Sequence, residues 1–249
     1  MIAVRKPEDI YKAQGEIENG TFTGKWHFSF DSYYDSEYMR FGNLRVFNDD
    51  TLSPGAVWPL HPHREIEVVT YCADGQFRHA DEHGKGGILE KGWVQHTTVG
   101  SGMWHSEINN RKDLPMRFIQ MWFLPSQPDL KPSVEQKPVE RKDRTNKFFL
   151  LVSNKNPAAL KIFSDVEVCS CFLRKDMLVS YTLQTGRGAY LYVLEGSSVI
   201  LNSNLIPHLG AAEITDEKNL SCPRITMRNY CSSIPLCKIS ASRQSSLQN

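Results

Sequence analysis

HPHREIEVVTYCADGQFRH, residues 61–79, and GWVQHTTVGSGMWHSEIN, residues 92–109, decide the reading of this chain. Glu65–Cys72 is a short run of strand-forming residues. Gly75 follows with the positive φ that a tight turn demands, and a second strand then leads to His79. In a strand, side chains at i and i+2 face the same way. The imidazoles of His61 and His63 therefore address one point, and Glu65 and Glu67 share their parity. His105 and Glu107 repeat the device in the second stretch. If the two strands face one another, three imidazoles and a carboxylate converge on one ion. That donor set suits Fe, Ni, Cu, Zn, Co or Mn, with geometry choosing among them. Four protein ligands on a six-coordinate ion leave about two positions open, whereas a structural site would be closed and rich in cysteine. A lone His-x-His is most often a pair of ordinary surface or core histidines. The spacing of the glycines around this one makes it specific: Gly55 before it, Gly75 after it, and Gly100-Ser101-Gly102 bending the chain just ahead of His105.

Outward from these stretches the pattern stays β. Arg117–Leu124, Phe148–Val152, Val166–Leu173, Ala189–Leu194 and Ser198–Leu201 are short apolar runs between Gly, Asp, Asn and Pro, which argues for an all-β barrel or sandwich. Helical period is scarce, the best candidate being Lys6–Lys12 after Pro7, with a single turn at Asn156–Leu160. Residues 67–79 and 188–202 both read as strand, glycine turn, strand, at Gly75 and Gly196, which suggests a duplicated β-domain. Residues 125–147 hold Pro125, Pro128, Pro132 and Pro138 among many charges. Proline donates no ladder hydrogen bond, so a solvated linker without strands is expected there. The expected organisation is an N-terminal domain over 1–124, the linker over 125–147, a C-terminal domain over 148–240 and a polar tail over 241–249.

The 249 residues carry 29 Lys+Arg against 28 Asp+Glu, a formal net charge of +1. No overall field is present to attract nucleic acid, and no apolar run is long enough to cross a membrane as a helix. The N-terminus MIAVRKPEDI lacks a secretory apolar segment, so a cytoplasmic location is expected. The six cysteines form no Cys-x-x-Cys pair and read as reduced, mostly buried thiols.

The motifs resemble the cupin superfamily. Gly55, His61, His63, Glu67 and, one residue late, Gly75 match its first motif. Gly102, His105 and Asn109 match its second, where Gly100 replaces the usual proline. The likeness is closest to the pirin family and its bacterial pirin-like quercetinases. It is carried by HPHREIEVVTY, GWVQHTTVGSGMWHSE and KWHFSFDSYYDSEYMRFGNLRVFNDD, and by LLVSNKN, LKIFSDVEV and YLYVLEG in the second half. The resemblance implies two tandem cupin (jelly-roll) β-barrels. It also implies one divalent metal, Fe(II) before Ni, Cu, Zn, Co or Mn, held by His61, His63, His105 and Glu107. In the wider superfamily the carboxylate ligand falls on Glu67. The pirin pattern favours Glu107, leaving Glu67 as a supporting residue or the alternative ligand. No such ligands occur in the second half, where the equivalent spacing lands on Thr182 and Gln184, so one metal per chain is expected.

Other residues near the centre are open to two readings. His79 would support a ligand or sit as a plain polar strand residue. Trp93 and Trp104 would line an aromatic pocket or fill core, and His83 belongs on a loop tip. The function implied by the resemblance is oxidative cleavage of a flavonol such as quercetin by O₂, with Glu107 as the catalytic base. The alternative is a non-enzymatic, redox-responsive regulator that acts through a protein partner.

Overall fold

The computed structural model describes residues 1–84, 86–215, 224–229 and 234–242, the last two segments as backbone strands. Apart from one 3₁₀ turn at Arg141–Arg144, every element among them is a strand.

Two barrels, each of a seven-stranded and a four-stranded sheet, make up the molecule. In the N-terminal barrel the larger sheet runs β12 (Ser133–Lys137), β9 (Val94–Thr98), β6 (Glu67–Asp74), β11 (Met116–Phe123), β4 (Leu44–Leu52), β3 (Gly20–Trp26) and β2 (Tyr11–Ile17). The smaller runs β5 (Val57–His63), β10 (Met103–Asn109), β7 (Gln76–Asp81) and β8 (Gly86–Glu90). In the C-terminal barrel the larger sheet runs β1 (Ile2–Arg5), β20 (Ala211–Ile214), β17 (Arg187–Val193), β22 (Ile234–Ser242), β15 (Val166–Leu173), β13 (Phe149–Ser153) and β14 (Leu160–Lys161). The smaller runs β16 (Leu178–Thr182), β21 (Arg224–Asn229), β18 (Val199–Leu201) and β19 (Asn204–Ile206). The order β9-β6-β11-β4 with β5-β10-β7-β8 recurs strand for strand as β20-β17-β22-β15 with β16-β21-β18-β19. This is the duplicated jelly-roll of two tandem cupin domains.

Alternation along the strands builds the interior. The larger sheets of the two barrels meet in one apolar cluster that joins Phe47, Val69, Ile119 and Met121 to Val152, Val168, Tyr190 and Tyr192. Each barrel adds a cluster of its own, Leu52, Phe77, Leu89, Met116 and Phe118 in the first and Leu173, Leu191, Val199, Leu201 and Met227 in the second.

Several expectations are corrected. The turns at Gly75 and Gly196 do not join paired strands: β6 and β7 lie in different sheets, as do β17 and β18, so each glycine turns a barrel corner. Gly75 has φ +74°, and a Cβ there would come within 2.7 Å of the Pro115 carbonyl oxygen. The linker expected over 125–147 contains β12, because Ser133–Lys137 fits between Pro132 and Pro138 and all five residues keep their N–H groups. Arg144 in the same stretch is buried and donates to the Tyr71 hydroxyl. β1 lies in the C-terminal sheet and not in the first domain. No helix forms at Lys6–Lys12; the Asp9 N–H closes a turn on the Lys6 carbonyl and β2 begins at Tyr11. Asn156–Leu160 is a turn leading into β14. Cys72, Cys169 and Cys171 are free and buried. The side chains of Cys222, Cys231 and Cys237, and the tail from 243 onward, lie outside the described residues. No helix among the described residues is long and apolar enough to cross a membrane.

Candidate metal centre

β5 and β10 are antiparallel neighbours in the four-stranded sheet, with His105 opposite His61 and Met103 opposite His63. Their registry slips between His105 and Glu107, where Glu107 falls opposite Trp58. The extra residue in β5 leaves Leu60 exposed and returns His61 to the cavity side, as bulges near functional sites do.

The outcome is a tight triad. One ligand atom from each of His61, His63 and His105 lies within 4.8 Å of the others. The three rings are close to mutually perpendicular, with centroids 4.6 to 5.1 Å apart. His61 Nδ1 is 2.8 Å from the Pro59 carbonyl oxygen. A carbonyl only accepts, so Nδ1 carries the proton and Nε2 presents a lone pair. His105 Nε2 sits 3.1 Å from that lone pair. Two nitrogens bound at right angles to one ion at about 2.1 Å each would stand about 3 Å apart. On the far side of the ring, His105 Nδ1 meets His79 Nε2 at 2.9 Å, the hydrogen bond that orients a ligand imidazole. Burial, reinforced by neighbouring histidines, pushes His63 down to about 4 and His105 to about 2. His63 and His105 are thus neutral near pH 7, the form that ligates. The donor set fits a divalent transition metal.

Glu107 stands outside the group of mutually close ligand atoms but lines the same cavity as His61 and His63. It is buried, and burial raises its carboxyl to about 7 against the opposing hydrogen bond from Gln120. Gln120 Nε2 donates to Glu107 Oε1, while Trp122 Nε1 donates to Gln120 Oε1 at 2.8 Å, which fixes which way the amide points. The Trp122 ring packs on His63 with centroids 4.6 Å apart.

Glu67 serves elsewhere. Its carboxylate accepts the backbone N–H groups of Phe163 (2.8 Å) and Ser164 (2.7 Å) from the second barrel, and His96 Nε2 lies 3.3 Å from it. The shared parity with His61 fails because Glu65, at φ +55°, turns the chain between two strands of different sheets. Trp104 alternates with His105 and Glu107 on β10 and faces outward, 48% exposed. Trp93 packs beside the first barrel's own core, and His83 is exposed in a turn.

The cavity of about 410 Å³ in front of the triad is walled instead by Trp26, Trp58 and Trp122, with Phe22 and Phe30 among them. Phe30 meets both Trp26 and Trp122 edge-on, and Phe22 lies nearly parallel to Trp26. Sequence reasoning missed these rings because nothing local distinguishes them. Their only signal was strand parity in KWHFSF and RFIQMWF.

Comparison with known proteins followed from this geometry. The family model described as Pirin matches residues 10–123, and the one described as Quercetinase C-terminal cupin domain matches residues 150–226. A pirin-like protein of Caulobacter vibrioides is 37% identical over 205 residues, covering 80% of this chain and 87% of the relative. Quercetin 2,3-dioxygenase of Escherichia coli K12 is 30% identical over 222 residues, covering 89% and 93%. The crystal structure of the bacterial pirin YhhW from Escherichia coli in complex with nickel(II) superposes with a TM-score of 0.86 at 26% identity, covering 98% of this chain and all of that one.

Proposed function

The chain belongs to the pirin family of cupin proteins, and from that premise we propose that it is a metal-dependent dioxygenase that cleaves a flavonol such as quercetin with O₂. The observation that carries the reading is the meeting of three imidazoles within 4.8 Å beside an aromatic-walled cavity. His61, His63 and His105 would hold the ion, with Glu107 as the fourth ligand on the family pattern. The metal would be iron(II) or another divalent transition ion; nickel(II) accompanies the Escherichia coli structure. When bound, such an ion supplies Lewis acidity that lowers the pKa of a hydroxyl beside it.

The residues of the chain would do the rest. Glu107 takes the proton of the flavonol 3-hydroxyl, and Gln120 holds that carboxylate through Oε1. Trp26, Trp58 and Trp122 receive the flat rings and exclude water from the electron-rich enolate. His79 keeps the His105 ring turned toward the triad. Attack by O₂ then opens the ring, with release of CO and a depside ester. Elemental analysis followed by O₂ uptake with quercetin tests the reading. One metal per chain and quercetin-dependent CO release are expected; quercetin untouched by fully metallated protein under air would end it.

The regulatory alternative draws on one observation. The outer side of the metal-bearing sheet exposes Leu60, Ile88 and Trp104. Redox-dependent binding of a protein there, abolished in Trp104→Ala, would favour it.

A further inference from the structure

The cavity holds a polar row that the proposed chemistry leaves unused. Registry creates it. Asn48 lies opposite Gln120 on β11 and Trp26 on β3, while Asp50 lies opposite Phe118 and Gly24. Alternate residues share a face, so Asn48 and Asp50 turn to the same side as Gln120 and Trp26, and both line the cavity. Phe47 and Asp49 turn to the other barrel, where Arg117 and the Tyr192 hydroxyl hold Asp49.

Both side chains are sealed from bulk water, Asn48 at 1% and Asp50 at 2% exposure. Asp50 Oδ1 accepts the Trp26 indole N–H at 3.1 Å. A Cβ on Gly24 would lie 2.0 Å from that oxygen, so the glycine makes room for the carboxyl. No cation pairs with Asp50 among the described residues, the nearby Arg117 being committed to Asp49. Asn48 Oδ1 has no hydrogen-bond partner among the described residues. Burial, with Asp49 and Glu107 adding to it, pushes the Asp50 carboxyl well above the usual range. A carboxyl that keeps its proton donates as well as accepts. An unsatisfied buried polar group costs free energy, and a native structure retains few of them without a reason.

We propose that Asp50, with Asn48 beside it, is a specificity-determining pair that hydrogen-bonds ring hydroxyls of the aromatic ligand and selects polyhydroxylated aromatics over bare flat ones. The identity of the ligand rests on the function proposed above; the recognition does not depend on its turnover. Quercetin, with hydroxyls on both ring systems, and 3-hydroxyflavone, with the 3-hydroxyl alone, separate the two contributions.

The test is anaerobic titration of the metallated protein with each compound, read by quenching of tryptophan fluorescence, since Trp26, Trp58 and Trp122 line the cavity. The wild type should bind quercetin about tenfold more tightly than 3-hydroxyflavone, the worth of about one good hydrogen bond. Asp50→Leu should bring that ratio to about two or less, while Asp50→Asn, which still donates and accepts, should hold it within about threefold of wild type. Metal content should stay at the wild-type level throughout. If Asp50→Leu fails to fold by circular dichroism, Asp50→Ala and Asn48→Leu carry the same readout. A ratio unchanged in the apolar variants, or equal loss for both compounds, overturns the pair. Failure of turnover under air sinks the dioxygenase reading and leaves the ratio standing; an unmoved ratio sinks the pair and leaves turnover standing.

Discussion

In the first barrel the four-stranded sheet turns His61, His63 and Glu107 toward a cavity, with His105 beside the two histidines, whereas the equivalent strands of the second barrel, β16 and β21, turn Val179 and Met227 into an apolar cluster. The eight strands common to both halves share one order and antiparallel pairing. Thr182 and Gln184, the residues at the histidine spacing, are exposed, with Leu183 buried between them. The comparison teaches that this architecture does not need its site. Among the described residues the second barrel presents apolar side chains at these positions, the less costly arrangement, because buried polar groups cost free energy unless they are paired. The first barrel keeps Asn48, Asp50, Glu107 and Gln120 buried around its cavity, a cost that the ligand binding proposed above would offset.

Removing the triad should break the comparison most severely. His105→Ala is expected to lower bound metal from one per chain to below about 0.1 and to reduce quercetin turnover by about 10³-fold or more, since all the proposed chemistry passes through this centre. Elemental analysis and CO release read it, and a folded variant that keeps its metal would remove the site's basis. Glu107→Gln should likewise abolish stoichiometric metal, as the fourth-ligand reading requires.

The second barrel should respond in the opposite sense. Leu201→Ala truncates a fully buried side chain of the second barrel. It should cost about 2–5 kcal/mol of stability by urea unfolding while metal per chain stays at one. Loss of metal at full stability would show that the second barrel serves the site directly.

Glu67 sits on the seam between the two. Glu67→Gln weakens charge-assisted bonds to the Phe163 and Ser164 N–H groups and should cost about 1–3 kcal/mol, again with metal retained. Metal lost in this variant but kept in Glu107→Gln would reverse the ligand assignment. The smallest effect belongs to Trp104→Ala. This side chain is half exposed on the outer side of β10 and should shift stability by no more than about 0.5 kcal/mol, with kcat/KM unchanged.

How much of this was legible beforehand depended on range. His61 and His63 could be read as a pair because two-residue spacing within a strand is a local property that survives folding; that His105 joins them was implied by the resemblance, and the pairing of β5 with β10 brings it there. Glu67 could not be placed, since one residue of positive φ at Glu65 moved it to another sheet. Trp104 and Trp122 look alike as sequence. Parity with His105 puts the first outside, and registry against β4 puts the second beside Gln120 and His63. The charged, proline-rich stretch over 125–147 concealed β12 because five residues between two prolines suffice for a ladder at a sheet edge.

The sequence by itself determined the class of fold, its duplication and the His61–His63 pair, because hydrophobic alternation and short-range spacing act over a few residues. Only the tertiary structure decided that Glu67 ties the barrels together, that tryptophans from three separate strands wall the cavity, and that Asn48 and Asp50 form its polar floor. Those outcomes depend on which strands become neighbours and in what register, and that is set by burial summed over both barrels rather than by any local stretch of chain.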